Sequence, residues 1–167
     1  MLYIGKDLSE RRFTFKDMKK ASNQCANYFK SLGIKKGDRV MLVLKRHYQF
    51  WFAILGLNKL GAIAIPATNQ LVEHDFEYRF KKAGVNTIII TPDGDVAEEA
   101  AKAADKCDCV INRLMVNTAR EGWRSFDEEY KIYSSHYFRN EDSACGNDRM
   151  LMYFTSGTTG EPKMVAH

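Results

Sequence analysis

The sequence predicts an α/β protein with a mostly parallel sheet and helices on both faces. Three observations predict it. Helix-like and strand-like segments alternate strictly from Thr14 to Phe154, the pattern of strands joined by helical crossovers. The strand candidates include continuous apolar runs such as Val40-Met41-Leu42-Val43-Leu44, which suit a sheet covered on both sides. Glycine closes successive helices at Gly33, Gly61 and Gly84, where a left-handed backbone is commonly required.

The elements follow in order. Residues 1–13 are polar, end in Arg11-Arg12-Phe13 and receive no element. Thr14 opens a helix, with Asp17 at the capping-box position. Phe15, Met18, Ser22, Cys25, Phe29 and Leu32 recur on one mostly apolar face. Lys35-Lys36-Gly37-Asp38 turns into the strand at Val40. Tyr48 to Leu60 is apolar around most of its circumference and reads as a buried helix. Ala62-Ile63-Ala64-Ile65 is a strand stopped by Pro66. A loop over residues 66–70 leads to a helix from Glu73 to Ala83, with Phe76, Phe80 and Ala83 on one face. Thr87 to Thr91 is a β-branched strand. Asp95 with Glu98 opens a further helix to about Asp105, and Cys109 to Val116 is a strand. Ser125 with Glu128 opens the last helix, with Phe126, Tyr130, Tyr133 and Tyr137 at helical spacing. Met150-Leu151-Met152-Tyr153-Phe154 is the last strand, expected to be buried.

Composition restricts the class of protein. The chain has 167 residues, 45% of them hydrophobic and 28% charged, with a net charge of +4. That is a globular composition, and the spread of charge argues against nucleic acid as a partner. No run approaches membrane-spanning length, and no secretory leader is visible after Met1, so a cytoplasmic location is expected. Cys25, Cys107, Cys109 and Cys145 lack zinc-knuckle spacing and are expected as unpaired thiols. His47 is expected as a polar residue at a strand-to-helix junction, and His74 as a solvated side chain. No metal ligand is assigned to any residue. Oligomeric state is not encoded in any visible pattern.

The chemistry concentrates after the last strand, in Thr155-Ser156-Gly157-Thr158-Thr159-Gly160-Glu161-Pro162-Lys163. Gly157 and Gly160 let the backbone curl with N–H groups turned inward. Thr155, Ser156, Thr158 and Thr159 offer small hydroxyl donors, and Lys163 adds a positive charge. These are the groups a polyphosphate needs. The stretch is not a Walker loop, because Glu161 and Pro162 separate Gly160 from Lys163 and no Ser or Thr follows. A surface turn has the same composition. In doubly wound sheets, ligands bind beyond the carboxyl ends of strands, and this stretch leaves such an end.

The same stretch resembles the signature loop of the adenylate-forming enzymes, a superfamily of acyl-CoA synthetases, aryl-CoA ligases, luciferases and peptide-synthetase adenylation domains. Phe13-Thr14-Phe15-Lys16-Asp17-Met18, Gly37-Asp38-Arg39-Val40 and the segment from Gly61-Ala62 through Pro66 to Asn69 are similar to further motifs of that superfamily. Lys163-Met164-Val165-Ala166-His167 resembles the acetyl and medium-chain acyl-CoA synthetases. The resemblance implies a ligase that joins a carboxylic acid to CoA through an acyl-adenylate, using ATP, Mg²⁺ and CoA. It implies that Thr155, Ser156, Gly157, Thr158, Thr159, Gly160 and Lys163 hold the β- and γ-phosphates, with Lys163 catalytic.

It also implies a single unit over residues 1–167, the N-terminal portion of a longer adenylation domain that stops after the phosphate loop. The ribose-binding aspartate, the acidic motif, the hinge and the late catalytic lysine of the superfamily lie beyond it. Residues 1–167 alone are therefore expected to be inactive and to bind ATP weakly. Two alternatives use the same residues: a free-standing nucleotide-binding or assembly module built on this loop, and a flavodoxin-like redox domain suggested by the α/β order.

Overall fold

The structure is a computed structural model that describes residues 1–141, 143–156 and 160–167. Two short strands, β1 (Leu2–Ile4) and β2 (Glu10–Arg12), form an antiparallel hairpin at the start. Residues 1–13, left without an element by their polarity, are thus ordered by backbone pairing rather than by a buried side-chain pattern. Then follow α1 (Phe15–Ser31), β3 (Arg39–Val43), α2 (Gln49–Leu60), β4 (Ile63–Pro66), α3 (Glu73–Ala83), β5 (Val85–Ile90) and α4 (Val96–Asp105). The chain ends in β6 (Asn112–Met115), β7 (Arg124–Ser125), α5 (Phe126–Glu129), a 3-10 turn (Tyr130–Ile132), β8 (Met152–Thr155) and β9 (Lys163–Ala166).

Five strands form one parallel sheet in the order β4-β3-β5-β6-β7. Alternation along each strand sends side chains to opposite faces. Val40, Leu42, Ala64, Ile89 and Leu114 meet α1 and α2 through Cys25, Phe29, Phe52 and Leu57. Met41, Val43, Ile65, Ile88, Ile90 and Met115 meet α3 and α4 through Phe76, Phe80, Ala97 and Ala100. The parallel sheet with helices on both faces is therefore present. The two helices α1 and α2 approach closely at Gly56, where a Cβ would lie 2.8 Å from Cys25 Cβ. Gly61 and Gly84 end α2 and α3 with φ of 74° and 60°, as their positions predict.

Local signals held unevenly. Thr14 caps α1 as expected: its hydroxyl accepts from the Asp17 N–H at 3.2 Å, while Asp17 accepts from the Thr14 N–H at 2.8 Å. Asp95 and Ser125 make no side-chain cap. Phe15 does not join the apolar face of α1 but is 95% exposed. The helix expected from Ser125 to Tyr137 is one turn of α5 followed by the 3-10 turn, and Tyr133 is extended with ψ of 157°. Side chains of α1 capture that chain instead: Gln24 donates to the Lys131 and Tyr133 carbonyls, and Asn27 to those of Ser134 and His136. Cys107 and Cys109 are joined in a disulfide, against the expectation of free thiols; Cys25 and Cys145 are free. The two paired residues lie in the tight turn between α4 and β6, which brings their Cα atoms to 5.3 Å.

Candidate functional site

The last strand departs from the expectation of a buried member of the parallel sheet. Within β8 only Met152 is buried. The strand pairs antiparallel with β9, in the register Met152↔Ala166, Tyr153↔Val165, Phe154↔Met164 and Thr155↔Lys163. It reaches the sheet through its approach segment: the Ala64 N–H donates to the Met150 carbonyl at 3.1 Å, and Ala64 and Leu151 form a parallel bridge. The hairpin therefore flanks the edge strand β4, and β8 runs in the same direction. Its loop leaves the end of the molecule where the parallel strands have their carboxyl ends, as the alternation predicts.

The ends of the loop are built from ordinary strand and turn chemistry. Met152, Tyr153 and Phe154 are strand formers. Gly160 has φ of +118°, a conformation that L side chains rarely adopt. Pro162 supplies no N–H just before β9 begins. The register places Thr155 and Lys163 opposite each other at the mouth, with the Thr155 hydroxyl donating to the Lys163 carbonyl at 3.4 Å. Ser156, Gly160, Glu161 and Lys163 are exposed. Gly157, Thr158 and Thr159, assigned to phosphate binding by the resemblance, lie outside the described residues.

One wall beside the loop is α3. A groove of about 850 Å³ runs between them, lined among others by Tyr78, Lys81, Lys82, Gly160 and Pro162. The Tyr78 hydroxyl donates to the Pro162 carbonyl at 3.0 Å. Its ring meets Phe154 edge-on, with centroids 6.2 Å apart. The Arg79 guanidinium lies over the Phe154 ring at 5.3 Å and is pinned by Asp75 at 3.1 Å. Burial raises the Tyr78 hydroxyl pKa, and the Glu161 carboxylate adds to the rise. Tyr78 and Arg79 lie off the apolar Phe76–Phe80 stripe of α3, and only their departure from that stripe marks them in the sequence. His74, in the first turn of the same helix, has a side chain 83% exposed.

A second polar concentration sits where β3, β5 and β6 end. His47 Nε2 lies 2.8 Å from Thr91 Oγ1 and 3.5 Å from Asp93 Oδ2, and Nδ1 lies 3.1 Å from Asn117 Nδ2. Gln49 donates to Asn117 Oδ1 at 2.7 Å and to Asp127 at 3.1 Å. Lys6 from the N-terminal hairpin closes the cluster on Asp93 at 2.9 Å. Burial pushes the His47 pKa down, with Asp93 pulling against it. This network fastens three strand ends, α2 and the β1–β2 hairpin together. His47 stands at the strand-to-helix junction as its sequence position predicts.

The loop's described donors are hydroxyls and an ammonium group, a set that fits phosphate oxygens. No cluster of three or more His, Cys, Asp or Glu that could hold a metal occurs among the described residues.

The family model described as "AMP-binding enzyme" matches residues 3–167. The rat protein named acyl-coenzyme A synthetase ACSM5, mitochondrial (Rattus norvegicus), is 39% identical over 161 residues, covering 95% of this chain and 27% of that protein. Human acyl-coenzyme A synthetase ACSM3, mitochondrial (Homo sapiens), is 34% identical over 168 residues, covering 99% of this chain and 28% of that protein. The chain thus spans just over a quarter of these curated relatives. Among solved structures, the anthranilate CoA ligase AuaEII in complex with anthranoyl-AMP matches with a TM-score of 0.85 at 23% identity, over 94% of this chain and 30% of that one. The Brucella canis acyl-CoA synthetase matches with a TM-score of 0.82 at 23% identity, over 99% and 29%. At that identity the two structures speak for the fold. The family match covers nearly the full length and includes the loop described above, and the chain belongs to the AMP-binding enzyme family.

Proposed function

We propose that this chain is the N-terminal part of an AMP-forming acyl-CoA synthetase and contributes the wall of its active site that holds the departing pyrophosphate. The observation that carries the reading is the loop over residues 155–163: its composition suits phosphate oxygens, and its ends lie at the carboxyl-end side of a parallel sheet. The named synthetases of rat and human support the reaction class.

In the reaction, a carboxylate oxygen attacks the α-phosphorus of ATP. The bond from that phosphorus to the bridging oxygen breaks, giving an acyl-adenylate and pyrophosphate. The CoA thiol, losing its proton, then attacks the acyl carbon, and AMP leaves with the carboxylate's oxygen. Negative charge grows on the β-phosphate during the first step. By the family resemblance, backbone N–H groups of the loop and the hydroxyls of Thr155, Ser156, Thr158 and Thr159 would meet it, with Lys163 adding a full charge at the exit. Preorganised donors of this kind supply the largest share of many enzymes' rate enhancement. Mg²⁺ would be carried on the phosphates and neutralise their charge when bound; no residue of this chain is assigned to it. The acid and CoA sites are not assigned to residues here. A cytoplasmic location belongs to the same proposal, although the rat and human relatives carry the word mitochondrial in their names, and cell fractionation tests it.

The test is carboxylate-dependent exchange of labelled pyrophosphate into ATP by the full-length protein. Exchange that depends on an acid, and that slows in Lys163→Ala, supports the reading. Wild-type rates in that variant would remove Lys163 from the chemistry, and no exchange with any acid tried would end the reading. Residues 1–167 alone are expected to bind ATP more weakly than micromolar in calorimetry, because adenine and ribose contacts are not assigned to them.

A further inference from the structure

The exit of the loop is held by a side chain to which the reaction above gives no part. Phe154, just before the loop, and Pro162, beside its last residue Lys163, are both held by one turn of α3. On the incoming side, Phe154 is gripped by the Arg79 guanidinium over its face and the Tyr78 ring at its edge. On the outgoing side, the Tyr78 hydroxyl donates to the Pro162 carbonyl. Asp75 fixes Arg79 by accepting from Nη1 at both its carboxylate and its backbone carbonyl, at 3.1 and 2.9 Å. The opposite side of α3 is anchored in the core by Phe76 and Phe80, both fully buried. The clamp is therefore mounted on a rigid support.

The bond to Pro162 has a consequence for its neighbour. A peptide unit is planar, so the Pro162 carbonyl and the Lys163 N–H share one plane. The proline ring fixes φ at Pro162. Holding that carbonyl oxygen from outside adds to the Thr155↔Lys163 strand pairing and restrains the remaining freedom of the plane from which the backbone enters Lys163.

We propose that Tyr78 is a positioning residue for Lys163: its hydroxyl, through the Pro162 carbonyl, sets the peptide plane from which the lysine departs. The proposal rests on the pyrophosphate-holding reading of the loop.

Two variants and two readouts test it. Tyr78→Phe keeps the ring and loses the hydroxyl; Tyr78→Leu loses both. Hydrogen exchange is followed by mass spectrometry on the chain, and acid-dependent pyrophosphate exchange on the full-length protein. Tyr78→Phe is expected to speed hydrogen exchange in peptides covering residues 152–166 while leaving the five-stranded sheet unchanged. It is expected to lower kcat for pyrophosphate exchange about 3- to 10-fold, the factor that a net hydrogen bond represents. KM for the acid and the unfolding midpoint stay at their wild-type values. Tyr78→Leu is expected to lower kcat further at the same acid KM. Wild-type protection and wild-type kcat in Tyr78→Phe would overturn the proposal, as would a kcat loss matched by a drop in the global midpoint. If the wild-type protein shows no pyrophosphate exchange at all, the reading of the loop fails, and hairpin-restricted deprotection in Tyr78→Phe still supports the clamp.

Discussion

The five-stranded sheet and the β8–β9 hairpin are held in opposite ways. Every central strand of the sheet is covered on both faces, and its residues pack against two helices on each side. The hairpin buries Met152, leans Phe154 on α3 and otherwise faces outward. Yet the residues proposed to hold phosphate belong to the hairpin and its loop. On that proposal the labour is divided: stability is concentrated in the sheet, and the chemistry falls on an element that a few side chains can position. Breaking the first region should unfold the protein, while altering the second should slow it with the fold intact.

The sharpest test of that division is Lys163→Ala. Lys163 is exposed, so its loss should leave the unfolding midpoint unchanged while lowering pyrophosphate exchange about 100-fold, the scale for removing one preorganised donor. A matching loss of stability would erase the distinction. The converse is Phe76→Ala, which removes a fully buried ring beneath the sheet. It should cost about 3–5 kcal/mol in denaturant unfolding, and residual folded protein should retain its exchange rate per molecule. Next in size is Gly56→Ala. Its added methyl must enter the α1–α2 contact against Cys25 Cβ and the Ala26 backbone, at about 1–3 kcal/mol by the same measurement. A neutral result would mean that the helix pair can part without cost.

The smallest effect concerns the tether before the hairpin. Asp148 accepts from Lys36 at 2.7 Å and from the Cys145 N–H at 2.7 Å. Lys36 in the first place, then Cys145, holds its carboxyl down at about 2, from an ordinary 3.8. The folded protein thus keeps this carboxylate ionised where the unfolded chain would protonate it. Its contribution is present above about pH 4 and is lost as pH falls toward 2. Thermal midpoints of wild type and Asp148→Asn should differ slightly at pH 6 and converge at the acid end. A constant offset at all pH values would show that the ion pair is not the cause.

Much of this was legible in the chain, for reasons that differ by residue. Val40 to Leu44 reads as a doubly covered strand because no side chain in it tolerates water, and Thr14 with Asp17 reads as a cap because both partners lie within one turn. The helix expected through Tyr137 failed because aromatic spacing alone does not outweigh Gln24 and Asn27, which capture the backbone carbonyls of residues 131–136 from across the molecule. The apolar run at Met150 looked like a core strand because hydrophobicity does not reveal which partner a strand will choose.

The sequence by itself determined the α/β class, the positions of most helices and strands, and the loop whose residue types suit phosphate. Those depend on local propensity and periodicity, which are written within a few residues of each other. Tertiary structure alone decided that β8 pairs with β9 beside the sheet rather than inside it, that Cys107 and Cys109 are bonded, and that Tyr78 and Arg79 grip both ends of the loop. Each of these joins groups through space, and a hydrogen bond between Tyr78 and Pro162, 84 positions apart, leaves no periodic trace in either neighbourhood.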